Sequence, residues 1–581
     1  MGRWLLLGCL LWAPVLPAAG QWGTTWRISV SSFGAEGNAN SRYSSISVDG
    51  RFVAFSSVAS NLVSDDTNGT WDVFVHDRQT GQTSRVSVSS GGQEGNDLSW
   101  WPSISANGRF IAFSSEATNL VPGDTNGYWD IFVHDRQTGQ TSRVSVSSAG
   151  QEATNYSSRP AISADGRFVA FESFSGNLVP GDTNGGRDVF VHDRQTGQTS
   201  RVSVSSTGEQ GNYSSNAPSM SADGRFVAFE SLSGNLVPFD TNGARDVFVH
   251  DRYYGQTSRV SMSSTGQEGN GGSWWPSISA DGRFVAFGSE GSNLVAGDGN
   301  GWEDVFVHDR QTGQTSRVSV SSTGQQGTNF SSSPSISAGG RFVAFHSPAA
   351  GLVPGDTNNY WDVFVHDRQM SQTSRVSVSS SGQQGHANSS GPSISADGRF
   401  VAYESGASTF VLGDTNGAGD IFLHQYQPDS RSLSGQVVLG GLTPGSITPS
   451  VCLFEFRQPG TTQSVWSALA LLDAEGYFTM SGPAPDGLYD LAVKHPRWLR
   501  KVVQVDTSQG NVTDVLIHLA GGDIDGDNEV SIGDYALLSA AFGSSPGDPS
   551  WNELADLDGD GEVSIGDYAL LSQNFGLIGD E

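Results

Sequence analysis

The chain of 581 residues has only two cysteines, Cys9 and Cys452, and only two lysines, Lys494 and Lys501. Cys9 lies in an apolar amino-terminal run, Met-Gly-Arg-Trp-Leu-Leu-Leu-Gly-Cys, that reads as a Sec signal peptide cleaved after about Gly20. Its loss leaves Cys452 alone, so the mature chain has no internal disulfide, and a chain this long buries enough core to do without one. The run is too short for the roughly 20 apolar residues of a membrane span, and no later segment reaches that length. The apolar stretch before Cys9 is also too short for a lipoprotein box. With lysine scarce, 31 Lys and Arg face 60 Asp and Glu, a net charge of −29. That balance excludes a phosphate-backbone partner such as nucleic acid and suits an extracellular, calcium-binding or surface-exposed protein. No Ser-His-Asp order, zinc motif or phosphate loop appears.

What is present is a repeat. Gly-Arg-Phe begins at Gly50, Gly108, Gly166, Gly224, Gly282, Gly340 and Gly398, always 58 residues apart, and the Asp of Asp-Val-Phe-Val recurs at Asp72 and every 58 residues to Asp420. A strict period places each unit in one equivalent position of a closed or stacked array. Alternating Val, Ile and Phe, cut by Asp-Gly, Asn-Gly and Thr-Gly turns, predict four strands per unit, in the second copy 103–105, 109–115, 130–135 and 141–147. Seven such units predict a mostly β chain with a seven-bladed β-propeller over 21–428. Thr25–Ser32 matches the outermost strand of a unit without its blade, and the last unit drifts from the repeat after His424. The first strand is therefore expected to complete blade seven, which removes an exposed edge. The motifs S-x-D-G-R-F-V-A-F and D-V-F-V-x-D resemble the WD40-like repeats of TolB-type propellers over residues 24–425. That resemblance implies the fold and leaves function open, because the family includes scaffolds, peptidase side domains and lyases.

The last sixty residues carry two calcium-type loops. Asp523, Asp525, Asp527, Glu529 and Asp534 fall at positions 1, 3, 5, 7 and 12 of the first, and Asp556, Asp558, Asp560, Glu562 and Asp567 at those of the second. Such spacing gathers hard oxygen ligands around one Ca²⁺, with the main chain of Glu529 or Glu562 as the position-7 ligand. Each loop precedes Tyr-Ala-Leu-Leu-Ser at helical spacing. Loop, helix, connector, loop, helix resembles a type I dockerin over residues 521–581. The resemblance implies two Ca²⁺ ions, docking to a cohesin domain or surface scaffold protein, and partner choice by Ile532-Gly533 and Ile565-Gly566. These are not the Ser-Thr pair of clostridial modules, so the partner's identity does not follow. The near-identical helices allow docking in either of two orientations. Residues 429–520 between them predict a seven-stranded β-sandwich that resembles the carboxypeptidase-regulatory type of prealbumin-like module, by Gly-x-Phe and Pro-x-Gly-x-Tyr-x-Leu. A stiff spacer is its simplest role, although Lys494, His495, Arg497, Arg500 and Lys501 form a basic patch open to a partner.

For the propeller, symmetry separates structural from functional residues. His76 and its six equivalents recur in every blade and are structural. The repeats differ at two connections on one face. These hold Trp71, Tyr128-Trp129, Trp302, Tyr360-Trp361, and Trp100-Trp101 and Trp274-Trp275, with Tyr43, Tyr156, Tyr213 and Phe330. Rings on a Ser/Asn/Gly-rich face suit stacking on sugars, and equally suit wedging between blades. The Asp-Thr-Asn-Gly-x-x-Asp loops resemble integrin-type calcium loops with one acidic ligand missing, so further Ca²⁺ there competes with plain turn formation. Glu172, Glu230, His346 and Glu404 break the symmetry after the Ala-Phe (or Ala-Tyr) step and are the candidate acid and base groups, although neighbouring-blade carboxylates stand far apart for retaining glycosidase geometry. Three functions remain: a secreted, monomeric, non-catalytic polysaccharide-binding module, a polysaccharide lyase or glycoside hydrolase, and a protein scaffold.

Overall fold

The computed structural model describes residues 23–426, 431–442, 450–482, 488–507 and 512–580. The predicted leader, the junction near residue 428 and Gly487 of the sandwich motif lie outside the described residues. The chain divides between Gln427 and Pro428 into two compact units.

In the first unit every repeat forms one four-stranded antiparallel sheet in simple sequence order. Blade 2 comprises Ser99–Ile104, Phe110–Ser115, Asp130–Asp135 and Gln140–Arg143. Blade 7 comprises Ser389–Ile394, Phe400–Ser405 and Asp420–Gln425, with Thr25–Arg27 as its outer strand. Thr25 lies opposite His424 and Arg27 opposite Phe422, so the two ends of the repeat array share one sheet. The second and third strands are buried almost throughout, with an apolar centre, because both of their faces meet side chains. Phe113 stacks on Phe132 at 5.9 Å, and each blade repeats the pair, with Tyr403 on Phe422 in blade 7.

Polar groups tie the strands within each blade and link one blade to the next. Arg109 donates two hydrogen bonds to Asp135, of 2.8 and 2.7 Å, which holds that carboxyl far below the usual carboxylate range. His134 Nδ1 lies 2.9 Å from Thr141 Oγ1, and Thr141 Oγ1 donates to the Val88 carbonyl of blade 1. Burial lowers the His134 pKa to about 4, so the imidazole is neutral and serves as a hydrogen-bonding strut. Gly108 sits at φ +71°, and a Cβ there would lie 2.2 Å from Phe52 of the preceding blade. Only glycine meets both demands.

Near the axis, on the face away from the aromatic connections, a backbone ring closes the array. The N–H of Ala106 donates to Ala164 O, Ala164 to Ala222, Ala222 to Ala280, Ala280 to Ala338, Ala338 to Ala396, Ala396 to Val48 and Val48 to Ala106, at 2.9–3.1 Å.

Two strand limits differ from the expectation. The fourth strand ends at Arg143 instead of residue 147, because Ser145 Oγ turns inward to Asp130 Oδ1 at 2.5 Å and leaves the ladder. The first strand starts at Ser99, so Trp100-Trp101, and likewise Trp274-Trp275, are innermost strand and not connection. A bulge in that strand disguises it.

Among its described residues the second unit has seven strands from Arg431 to Leu519 in two sheets, of three and four strands. Their core includes Val437, Phe454, Phe478, Leu491 and Ile517. Helices α1 (Ile532–Ala541) and α2 (Ile565–Asn574) follow, each opened by a capping box, Ser531 with Asp534 and Ser564 with Asp567. Leu499 of the sandwich joins the helical core of Ile524, Val530, Leu538, Val563 and Leu571. The sandwich is therefore packed against this module.

Candidate functional sites: the axial cavity and the calcium loops

The bulge in the first strand of each blade builds the propeller's distinctive site. At seven equivalent positions, Tyr43, Trp101, Arg159, Ala217, Trp275, Ser333 and Gly391, the backbone is left-handed, with φ between +49° and +59°. Six of them precede a proline (Pro102, Pro160, Pro218, Pro276, Pro334, Pro392), where a left-handed residue is rare and strained. All seven line one axial cavity of about 500 Å³. One position thus presents six side chains, and bare backbone at Gly391, to a common volume, and those side chains differ from blade to blade.

Carboxylates hold three positions of this ring in place. Ala217 N–H donates to Glu172 Oε2 at 2.9 Å, Trp275 N–H to Glu230 Oε2 at 3.0 Å, and Tyr43 N–H to Glu404 Oε2 at 3.4 Å, each from the preceding blade. Arg187 and Arg245 donate to the other oxygens of Glu172 and Glu230, at 3.2 and 2.5 Å. These two carboxylates are buried and fully engaged, which suits a positioning role. Blade 5 has Gly288 at this position, and Glu303 from the adjacent connection fills the gap, 2.1 Å from where a Cβ would stand. Burial raises the Glu303 pKa to about 7, with help from Glu290, Asp304 and Glu230. In blade 6 His346 stacks on Trp361 at 5.2 Å, and its Nδ1 is buried with no hydrogen-bond partner. Burial lowers its pKa to about 4, so it is neutral. His346 and Glu404 both line the cavity; Glu172 and Glu230 do not.

The rings divide accordingly. Tyr43, Trp71, Trp100, Trp101 and Trp129 form one continuous cluster, with Trp71 stacked on Trp100 at 4.4 Å and Trp101 5.5 Å from Trp129. The Arg159 guanidinium lies 4.6 Å from the Trp275 ring and 5.7 Å from the Trp101 ring. Trp302 and Tyr360 are half exposed and outside the cavity wall, Trp274 is outside it too, and Tyr128 packs edge-on to Tyr156 at 4.8 Å. Arg159 and the role of Tyr43 escaped the sequence reading. The signal was the X-Pro step repeating every 58 residues.

The Asp-Thr-Asn-Gly loops already hold a cation. Arg143 NH1 lies 3.3 Å from Asp124, 3.3 Å from Asp130 and 2.8 Å from Glu152, and an arginine occupies the matching place in the other blades, from Arg27 to Arg375. The guanidinium supplies the positive charge that Ca²⁺ would bring, which argues against metal in these loops.

In the C-terminal loops the carboxylates do converge. Asp523, Asp525 and Asp534 place oxygens within 4.8 Å of one another, as do Asp556, Asp558 and Asp560. Loop amides hold one oxygen of each opening aspartate, Asn528 N–H on Asp523 at 3.2 Å and Gly561 N–H on Asp556 at 3.1 Å. The other oxygens, Asp523 Oδ1 and Asp556 Oδ1, are buried without partners, the condition that a bound cation relieves. Asp527 and Asp567 stand outside the two sets, and the Glu529 and Glu562 side chains are exposed, in keeping with a main-chain ligand at position 7. Gly533 and Gly566 leave room for these loops, since a Cβ would lie 2.6 Å from Asp525 Oδ2 and 2.4 Å from Asp558 Oδ2. Residues 521–576 match the family model of the dockerin type I domain. This stretch is a dockerin. Its acidic clusters fit the calcium that dockerin domains generally bind. On the dockerin surface Ile532 and Ile565 are each 71% exposed, and Tyr535 lies 5.8 Å from Tyr568 between the two helices. The predicted basic patch faces the dockerin: Arg497 donates to the Glu553 and Asp556 carbonyls, and Lys501 pairs with Asp580 at 3.1 Å.

No curated protein matches the chain. Among solved structures it is similar to an oligogalacturonate lyase in complex with manganese (12% identity, 70% of this chain and 96% of that one, TM-score 0.42). It is similar also to a putative TolB from Agrobacterium tumefaciens (14%, 60% and 95%, TM-score 0.33). A type II Cohesin-X-Dockerin complex from Acetivibrio cellulolyticus is similar over 26% of this chain and 97% of that one, at 22% identity and TM-score 0.21. The propeller assignment rests on the sheet topology itself. Among the described residues no helix is long and apolar enough to cross a membrane.

Proposed function

We propose that this is a secreted protein that docks, through its calcium-loaded dockerin, to a cohesin domain or cohesin-bearing surface scaffold. There it presents a non-catalytic propeller whose axial cavity binds polysaccharide. The observation that carries the binding reading is the left-handed ring. Left-handed backbone at seven positions, three of them held by carboxylates of the preceding blade, presents Tyr43, Trp101, Trp275 and Arg159 to one cavity together with Trp361. Aromatic faces stack on the C–H faces of sugar rings, while Ser, Arg and carboxylate groups between them read hydroxyls. For docking, the matched exposed residues of the two dockerin helices support binding in either of two orientations: Ile532 with Ile565, and Phe542 with Phe575. The acidic composition and the amino-terminal leader motif support an extracellular setting. Replacing Trp101 and Trp275 by Ala tests the propeller half: retention on an insoluble polysaccharide should fall at least tenfold while the melting curve is unchanged.

A second reading has one observation in its favour. His346 and Glu404 line the same cavity, which brings a neutral imidazole and a carboxylate to one site, the two kinds of group that acid–base cleavage of a sugar uses. Release of soluble oligosaccharides that stops with His346→Gln and Glu404→Gln would establish a lyase or hydrolase instead.

A further inference from the structure

Both lysines of the chain, Lys494 and Lys501, face the dockerin, and they act at different places. Lys501 meets Asp580, which is half exposed. Lys494 sits at the end of the sandwich strand Leu488–His495, where its Nζ donates to the Trp498 carbonyl at 2.8 Å and to Asp523 Oδ2. Asp523 is the opening residue of the first calcium loop, its side chain fully buried, and the lysine side chain is only 16% exposed. The second loop differs here. Asp556, the equivalent of Asp523, has no ammonium among its described contacts; Arg497 donates to the carbonyls of Asp556 and Glu553 and acts on the Asp556 carboxylate only through its more distant charge. The loops share the hydrogen bonds of their closing aspartates: Asp534 accepts from Ile524, Asp525 and Ser531, as Asp567 does from Leu557, Asp558 and Ser564.

We infer that Lys494 is a built-in cation of the first loop and makes the two calcium sites unequal. A divalent ion on Asp523 Oδ1 sits one carboxylate away from a fixed ammonium, and such like charges repel strongly in a buried setting. Without calcium the same ammonium offsets the Asp523 charge and keeps the first loop and helix α1 folded on the sandwich. The second loop has no cation bonded to its opening carboxylate, only the more distant Arg497, and depends more on the ion. The sandwich thereby sets the calcium response of the dockerin. The inference rests on the calcium reading of the two loops, and the test separates the two.

Calcium would be titrated calorimetrically into the chelator-stripped full chain, with hydrogen exchange of the helix amides followed in chelator. The wild type should show two sites at least about tenfold apart, and Asp556→Asn should abolish the tighter one. Lys494→Met should strengthen the weaker site about tenfold and remove the protection of α1 in chelator, while Lys494→Arg should preserve both features. Lys494→Gln, which keeps a hydrogen-bond donor without charge, replaces the Met variant if that one fails to fold. Two equal sites in the wild type, or a gap unchanged by loss of the Lys494 charge, would overturn the inference while leaving the calcium reading intact. No calcium binding at all would overturn both.

Discussion

Ser29 and Ser145 occupy equivalent places, one on the amino-terminal strand and one inside the array, so a matched pair of substitutions tests how the ring closes. Ser29 Oγ donates to Asp420 Oδ1 at 2.5 Å and accepts from Ile421 N–H at 3.1 Å. Ser145 Oγ donates to Asp130 Oδ1 at 2.5 Å and accepts from Ile131 N–H at 3.0 Å. All four side chains are fully buried or nearly so. Ser→Ala removes a hydrogen bond to a charged acceptor and orphans a buried N–H, a combined cost of about 2–4 kcal/mol. Ser29→Ala and Ser145→Ala should therefore destabilise equally in urea unfolding at pH 7.5. Burial raises both aspartate pKa values to about 6, so at pH 5 the acceptors are largely protonated and both penalties should shrink. The closure matters for the site, because Tyr43 and Glu404 meet across this seam. A neutral Ser29→Ala beside a destabilising Ser145→Ala would refute closure by the amino-terminal strand.

Glu303→Gln carries a pH signature. A folded pKa near 7 lies above the ordinary 4.5, so the stability this group contributes is full below pH 4.5 and is lost as pH rises through 7. The variant should gain on the wild type by up to about 3 kcal/mol between pH 5 and 8.5, measured by chemical denaturation. Gly108→Ala combines a left-handed backbone with a Cβ placed 2.2 Å from Phe52, and should cost more than about 2 kcal/mol and lower the melting temperature. Arg143→Met leaves Asp124, Asp130 and Glu152 uncompensated; it should destabilise by about 3–5 kcal/mol and make the propeller's melting temperature respond to calcium, which the wild-type propeller should not.

Most of the architecture was legible in the residues. The 58-residue period and its four apolar runs predict the seven sheets, and Asp-x-Asp-x-Asp spacing with a trailing helix predicts the dockerin, because both are local patterns repeated in register. The axial site was only half legible. Trp101 and Trp275 stand out as rings, but their place in the innermost strand depends on a left-handed residue before proline, a conformation that ordinary preference argues against. Arg159 drew no attention, since a single arginine in an arginine-rich repeat looks like any other. Glu172 and Glu230 looked catalytic because they broke symmetry, yet what they serve is the N–H of the next blade, a contact 45 residues away in sequence. Lys494 and Asp523 each stand out in the sequence, and nothing local pairs them across the 29 residues that separate them.

The central claim, that the axial cavity binds polysaccharide without cleaving it, is tested most directly by co-sedimentation. The full chain and its Trp101→Ala/Trp275→Ala variant would be mixed with a panel of insoluble polysaccharides, and the supernatants analysed for oligosaccharides. The account predicts that the wild type pellets with at least one polysaccharide, that the variant stays in solution, and that no oligosaccharide is released. Equal pelleting of wild type and variant, or soluble product from the wild type, would contradict it.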